Sequence, residues 1–595
     1  MIGEYSFLHP AAGFFVLALV LAFLPAQNHK IWRWLLLLPP VAALLLVISM
    51  TPGVYARYTY LGSTLILGRV DKLSIVFAHI FAIQAFIGMI FSLHLKDRLQ
   101  HIASCCYVGG AFGCAFAGDY LTLFIFWEVM SVASTFLVWL NRNKRSTAAG
   151  FRYFLFHILG GLFLLAGLLL RHQATGNFDF NAVNPASAGV YDWLILLGFC
   201  VNAAMVPLHA WLPDAYPEAT VTGAVFMSAF TTKTAVYVLA RGFSGFEILG
   251  IMGVVMAIYG AAFATMENNA RRILSYHIVS QVGYMVAGVG IGTAMTINGA
   301  CAHAYAHILY KGLLFMAAGC VLYATGTSKL TELGGLAYRL PWVMICYMVA
   351  AVSISGWPLF NGFISKNMTI TGAAQAHHTW LALGMELAAV GTFLSVGIKL
   401  PYFAFWHKND YAKPLNPLPK NMYVAMGLAA FLCFFIGVAP QYLYSLLPFE
   451  VHYVPYTSWH VMQSLLLLSF TGLAFYLTRH IIVPKAKIVL DFDLFYRLGG
   501  RACLAVARWP LAKVDDWWTN IYRRLGLAGL LKTAGLSRGF DEKAIDGVVD
   551  NTAYSFLRAG KGLSRIQTGR LADYIGLALV LGACVFAGYF ILMVR

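Results

Sequence analysis

Glu128 lies within the stretch LFIFWEVMSVAS, Lys233 within AVFMSAFTTKTAVYVLA and Lys399 within FLSVGIKLPYFAF. His303, His307 and Lys311 lie within ACAHAYAHILYKGLLFM. A charge at mid-bilayer depth costs roughly 2.5–3.5 kcal/mol on insertion scales, so such groups persist only inside a helix bundle or a wet cavity. Several in one chain point to a path for protons or cations. A buried carboxylate or ammonium takes up and releases a proton as its neighbours' charge changes. His303, His307 and Lys311 fall at i, i+4 and i+8, so they line one helix face over roughly 12 Å. Imidazoles titrate near neutrality and pass protons between their two nitrogens. Three plainer roles compete. Glu128 could be a satisfied structural carboxylate, the histidines could be polar glue between helices, and His at i, i+4 is also zinc-like spacing. No acidic or cysteine third ligand lies near the histidine pair, so no metal and no cofactor is expected.

These groups must be positioned by transmembrane helices. The 595-residue chain is 60% hydrophobic and only 11% charged, with mean hydropathy +0.72, a composition that excludes a soluble domain. Apolar stretches long enough to cross a bilayer recur at 11–26, 32–50, 72–95, 101–118, 119–140, 150–171, 189–207, 221–241, 246–265, 273–293, 299–322, 342–372, 380–405, 421–448, 458–482 and 572–593. The expectation is an all-α polytopic membrane protein of about sixteen spans. The first stretch lacks a basic lead-in, so no cleavable signal peptide is read there. The net charge of +17 fits cytoplasmic loops and an anionic lipid surface rather than nucleic acid. The ten cysteines lie mostly in apolar helices and read as small buried hydrophobes.

Six regions follow. Residues 1–100 hold the N-terminal spans, with MTPGVYARYTYLGSTLILGRVD reading as a hairpin outside the membrane. Residues 101–245 and 246–410 carry the buried charges. Further spans fill 411–482. The basic, amphipathic region 483–571, with Trp517 and Trp518 suited to an interface, reads as an element running along the membrane, and 572–595 as an anchor helix. Pro207 lies five residues after Asn202, and Pro401 lies just after Lys399. A proline inside a span breaks or kinks the helix and frees carbonyls, and paired interrupted helices point to an inverted repeat. Lys399 is thereby expected at a helix break, facing water on one side and Lys311 on the other. Lys366, in NGFISKNM, follows another break at Gly356–Pro358 and is expected near an interface rather than on the path.

Ordered motifs carry a resemblance. They are Asp71-Lys72-Leu73-Ser74, Asp119 through Trp127-Glu128, and Pro207 through Ala215 (PLHAWLPDA). Arg271 through Tyr276 (RRILSY), His307 through Phe315, and Gly362 through Lys366 (GFISK) continue the series. Together they resemble the antiporter-like membrane subunits shared by complex I (NADH:quinone oxidoreductase), membrane-bound hydrogenases and Mrp cation/proton antiporters. Ala544 through Gly547 and Gln567 through Arg570 are similar to the end of the distal complex I subunit, so the chain looks like a D-type core with a distal-subunit tail.

The resemblance implies two inverted five-helix repeats with broken helices, a lateral helix and a final anchor. It implies that Glu128 is the acidic partner of the first half and Lys233 the link between halves. His303, His307 and Lys311 would form the central relay and Lys399 the outlet. The family usually has lysine where this chain has Asn202, so Glu128 lacks that counter-charge. Lys233, a neighbouring subunit or the second half must then carry the switching. Arg271 and His277 also stand where lysine and serine are more usual.

The implied function is translocation of protons, with Na+ the second candidate, in the inner (plasma) membrane. Other membrane subunits of a hetero-oligomeric complex and the lipid bilayer would be the partners. A Mrp-type antiporter and a redox-driven pump module are the two versions. A membrane subunit of an inorganic-carbon uptake system, and a structural subunit that no longer conducts, are the alternatives.

Overall fold

The structure, a computed structural model, describes residues 7–24, 29–60, 62–407, 411–486 and 489–594. The last residues of the span expected at 11–26, and the region boundary at 410, fall outside these. Two compact units result, residues 1–493 and Leu494–Arg595.

In the first unit α1 (Ala11–Phe23), α2 (His29–Leu35) and α3 (Leu38–Ser49) precede a hairpin. Its strands, β1 (Gly53–Tyr60) and β2 (Ser63–Val70), pair antiparallel from Gly53–Val70 to Tyr60–Ser63. The expected hairpin is therefore present. It is fastened to the helices at Asp119, whose carboxylate accepts from Ile66 N at 2.6 Å.

α4 (Lys72–Ser92), α5 (Arg98–Phe116), α6 (Tyr120–Trp139) and α7 (Lys144–Thr175) follow. Next come α8 (Val190–Asn202), α9 (Trp211–Ala215), α10 (Val221–Met227) and α11 (Thr231–Gly242). A second series begins with α12 (Glu247–Met266), α13 (Ala270–Ile291) and α14 (Ala294–Thr325). It continues with α15 (Pro341–Ser355), α16 (Asn361–Gln375) and α17 (Thr379–Thr392). The unit closes with α18 (Lys420–Val438), α19 (Pro440–Tyr444) and α20 (Ser458–Thr478).

The two series are one pattern repeated 150 residues later. α7 and α14 are both 32 residues long, and their ends, Lys144 and Thr175, map onto Ala294 and Thr325. Both start with a capping box, on Asn143 and Thr293, and both stop at a left-handed glycine, Gly176 and Gly326. Such a pair of signals fixes a helix at both ends. The bridge Asp119–Asp179 recurs as Asn269–Lys329. The break after α8, at Pro207, maps onto the break between α15 and α16, at Pro358.

That pairing corrects the one expected from proline spacing. At Pro401 there is no gap: the helix runs Thr379–Trp406. It widens into π-turns at Phe393–Lys399 and Tyr402–Trp406, which absorb the proline without ending the helix. Two expected spans are instead interrupted. The one at 342–372 breaks at Gly356, and the one at 221–241 breaks between Met227 and Thr231. The span expected at 421–448 ends early, at Val438, before Pro440.

Eleven of the described helical stretches are long and apolar enough to cross a membrane, so the chain is a multi-pass membrane protein. The other five expected spans fall on α1, α8 and α15, which are shorter, and on α5 and α13, which have the length but more polar sequences. α8 and α15 are short because they stop at the breaks. α13 is polar because it is buried nearly all round and carries Ser275, His277, Ser280 and Gln281 into the bundle.

The second unit is helical from Asp493 to Ser564. It comprises α21 (Asp493–Val506), α22 (Ala512–Ile521), α23 (Ala528–Phe540) and α24 (Asp546–Ser564), joined by π-turns. Pro510 occupies the first of these turns. α25 (Leu571–Met593) is an apolar span of 23 residues.

Candidate functional site

The helix breaks leave carbonyls without helical partners, and buried lysines supply donors for them. Lys233 Nζ donates to Ser228 O at 2.6 Å and to Thr232 Oγ1 at 3.1 Å. Lys366 Nζ donates to Ile354 O at 2.8 Å, beside the Gly356 break. Lys399 Nζ donates to Thr265 O at 2.6 Å and Glu267 O at 2.9 Å, at the C-terminal end of α12. The carbonyl end of a helix is the negative end of its dipole, where an ammonium is held without a carboxylate. Lys399 thus caps the end of α12 from a continuous helix, not from the helix break expected at Pro401. Its tie to the centre runs through Ser395, one turn back, whose hydroxyl lies 2.6 Å from His277 Nε2.

Lys311 differs. It is fully buried on α14 and its Nζ has no hydrogen-bond partner among the described residues. Neither nitrogen of His307 has one either. A buried polar group without a partner costs about 1–3 kcal/mol, and buried water is the usual remedy. One turn from His307, His303 is tied on both sides, Nδ1 to Ser365 Oγ at 3.2 Å and Nε2 to Tyr310 OH at 3.4 Å. Tyr310 OH also reaches Gln281 Oε1 at 3.5 Å. Ser365 precedes Lys366, whose ammonium lies 5.3 Å from the centroid of the Tyr284 ring. The second half thus brings Lys311, His307, His303 and Lys366 together along one buried line.

In the first half Glu128 is half-buried on α6 rather than enclosed. Its Oε1 fits against Gly161 of α7, where an added Cβ would stand 2.2 Å away. One turn from Gly161, His157 is fully buried and its Nδ1 lies 2.9 Å from Asn202 Oδ1. Tyr153 and Trp211 flank the ring, at centroid distances of 4.2 Å and 4.7 Å. The place of the missing lysine is therefore filled by a His157–Asn202 pair. Sequence reasoning misses His157, although FRYFLFHILGG meets the criterion that selects His303. It maps onto His307 under the 150-residue offset. Gln84, whose side chain has no partner, packs against Gly312, next to Lys311. Among the described residues no three His, Cys, Asp or Glu side chains gather as a metal site.

Other motif residues hold the scaffold. Asp71 and Ser74 form the capping box of α4, and Asp71 takes a bidentate bond from Arg241 at 2.7 and 2.8 Å. Burial opposes the Asp71 charge, but the Arg241 guanidinium outweighs it and holds the carboxyl below its usual range. Arg271 caps the carbonyls of Pro217 and Ala219 at 2.9 and 3.0 Å. Asp214 pairs with Arg152. His209 meets Asp491 at 3.3 Å. Asp491 also accepts from Tyr259 OH, and from Tyr276 OH at 2.5 Å. Burial pushes the Asp491 carboxyl upward, but His209 and the two phenols more than compensate, and the net shift is well below the usual range.

Residues 117–394 match the family described as NADH:quinone oxidoreductase/Mrp antiporter, TM. This segment is similar to that family. The chain is 30% identical over 324 residues to the D-type component of the Na(+)/H(+) antiporter of Alkalihalophilus pseudofirmus, covering 51% of this chain and 65% of the relative. It is 28% identical to hydrogenase-4 component B of Escherichia coli, covering 54% and 53% respectively. It thus spans less than two thirds of either relative's length. NAD(P)H-quinone oxidoreductase subunit 5 of Chara vulgaris is 25% identical over 80% of this chain and 78% of its own. In fold, a chain of the Mrp complex from Dietzia superposes with TM-score 0.72 at 22% identity, over 88% of this chain and 62% of that one. A chain of Thermus thermophilus respiratory complex I gives 0.64 at 22% identity, over 74% and 99%.

Proposed function

We propose that this chain is a proton-translocating subunit of a multi-subunit membrane complex, working as a Mrp-type cation/proton antiporter with Na+ as the exchanged cation. The observation that carries it is the buried line from Lys311 through His307 and His303 to Lys366, in which Lys311 Nζ and both His307 nitrogens have no hydrogen-bond partner among the described residues. Groups so placed suit a hydrated proton relay. Lys233 would pass charge between the halves. Glu128, with His157 and Asn202, would gate the first half, and Lys399, capping α12, would modulate the far end. The cell's inner (plasma) membrane would be its site. The likeness to D-type and A-type components of Na(+)/H(+) antiporters favours antiport. The likeness to hydrogenase and quinone oxidoreductase subunits supports a second reading, a pump module driven by redox subunits.

The tagged chain, purified in mild detergent with its partners and reconstituted in proteoliposomes, tests this. An imposed Na+ gradient should drive proton movement without any redox substrate. Proton movement only on adding an electron donor would select the redox reading. No movement under either driving force would contradict both.

A further inference from the structure

α4 precedes both repeats, yet it packs along the break between α10 and α11. Phe77, Phe81, Gln84 and Gly88 have the spacing of a single helix face. Phe77 packs on Tyr237 of α11, with ring centroids 5.4 Å apart, and Phe81 on Phe230 at the break, at 5.1 Å. At Gly88 an added Cβ would stand 2.8 Å from the ring of Phe226 in α10. α4 is therefore antiparallel to the broken helix, and Gln84 comes level with residues 227–230. Toward α14 it runs parallel. His79 Nδ1 lies 3.0 Å from Tyr305 OH, and further along the Gln84 amide rests on Gly312, where a Cβ would stand 2.5 Å from Nε2. Gln84 thus occupies the junction of α4, α14 and the α10–α11 break. On one side is the backbone next to Lys311, and on the other the break at which Ser228 O holds Lys233 Nζ at 2.6 Å. We propose that Gln84 is a positioning residue, whose amide holds the Lys311 ammonium, through one bridging water, toward the break that anchors Lys233.

The amide is polar where packing does not require it. Of the other buried polar side chains on α4, Ser74 caps the helix, His79 lies between the hydroxyls of Tyr305 and Tyr442, and Ser92 Oγ donates to Met89 O. Gln84 is fully buried, and neither its Oε1 nor its Nε2 has a hydrogen-bond partner among the described residues. A glutamine amide carries two donors and an acceptor with two lone pairs. Burying it unbonded costs stability, so an apolar side chain of the same volume would pack there more favourably. On α14 the groups in the same condition are Lys311 Nζ and both nitrogens of His307. An ammonium has three donors and no acceptor, and Gln84 Oε1 is an acceptor with nothing else to receive. A water between them satisfies both. The amide suits this task because it accepts from an ammonium without ionising. A carboxylate in its place would trap the charge in an ion pair, and an apolar side chain would leave the ammonium unsolvated. Gln84 takes up no proton itself. It sets where the Lys311 charge rests, on the side from which charge passes between the halves.

This role rests on the relay reading, and the experiment separates the two. In proteoliposomes of the assembled complex, Gln84→Met keeps the length of the side chain and removes the amide. It should lower proton flux by about tenfold or more, as loss of a hydrogen bond to a charged group does, with the melting midpoint unchanged or raised. Gln84→Asn, one methylene shorter with the amide retained, should recover about half of wild-type flux or more, because a water spans the difference. Gly312→Ala, which pushes the amide from its seat, should lower flux as Gln84→Met does, and carries the test if that variant fails to assemble. A glutamine that only supports the fold would lose melting midpoint and flux together in Gln84→Met. That outcome, no recovery in Gln84→Asn, or wild-type flux in Gln84→Met while Lys311→Met abolishes it, would overturn the positioning role and leave the relay standing. Normal flux in Lys311→Met would remove the relay and the role of Gln84 with it.

Discussion

At the scale of single residues, partners separate structural charges from those suited to transport. The carboxylates of Asp71, Asp214 and Asp491 are held by cationic or hydroxyl donors, whereas Lys311 Nζ, both His307 nitrogens and one oxygen of Glu128 have no hydrogen-bond partner among the described residues. In sequence the two kinds look alike, since both are titratable residues in apolar surroundings, and only the positions of facing carbonyls and hydroxyls distinguish them. The same limit hid Lys399's role as a helix cap. Asp491 illustrates a charge so held. Its carboxyl is held below its ordinary value of about 3.9, so its contribution is fully present above that pH and is lost as pH falls through the folded value. Asp491→Asn is expected to cost about 2 kcal/mol, read as a lower thermal midpoint of the purified complex. The gap to wild type should stay constant from pH 8 to about 5 and narrow only below about pH 4. A gap that varies between pH 6 and 8 would contradict a carboxylate held ionised across that range. Gly161→Ala is expected to push the Glu128 carboxylate off α7, because the new Cβ meets Oε1 at 2.2 Å. The side chain can swing away, so the complex should assemble normally while its proton flux falls. Unaltered flux would place Glu128 outside the path.

At the scale of elements, the repeat explains what proline spacing alone could not. The eleven long apolar helices were legible from their apolar runs, because period and length are local properties. The hairpin was legible too, from its Thr-, Tyr- and Val-rich strands. The breaks were not. Pro207 and Pro401 look equivalent in sequence, but π-turns carry the chain past Pro401, while the break matching Pro207 lies at Gly356–Pro358. The break between α10 and α11 contains neither glycine nor proline, only Ser228, Ala229 and Phe230. It is held by Lys233 and by Tyr107, whose hydroxyl accepts from Thr231 N at 3.0 Å. No local signal announces it. The α15–α16 break depends on close backbone approach, since a Cβ on Gly362 would stand 1.7 Å from Ser353 O. Gly362→Ala is expected to destabilise the bundle by about 3 kcal/mol, at the upper end for overpacking, and to lower the yield of assembled complex. An assembled variant with wild-type melting would show that the break can relax.

At the scale of the whole molecule, the two halves share a frame but not a chemistry. The 150-residue offset superimposes His157 on His307 and Gly161 on Lys311. The second half therefore has an ammonium where the first has a gap filled by the Glu128 carboxylate. On this account the first half contributes the Glu128 carboxylate and a His157–Asn202 pair, and the second half the Lys311 ammonium beside two histidines. The central claim is that protons cross through the line containing Lys311, and the most direct measurement is proton flux in proteoliposomes of the assembled complex bearing Lys311→Met. This substitution keeps the volume of the side chain and removes its charge. Flux at least a hundredfold below wild type, with subunit composition unchanged, is the predicted result. Wild-type flux in that variant would contradict the account.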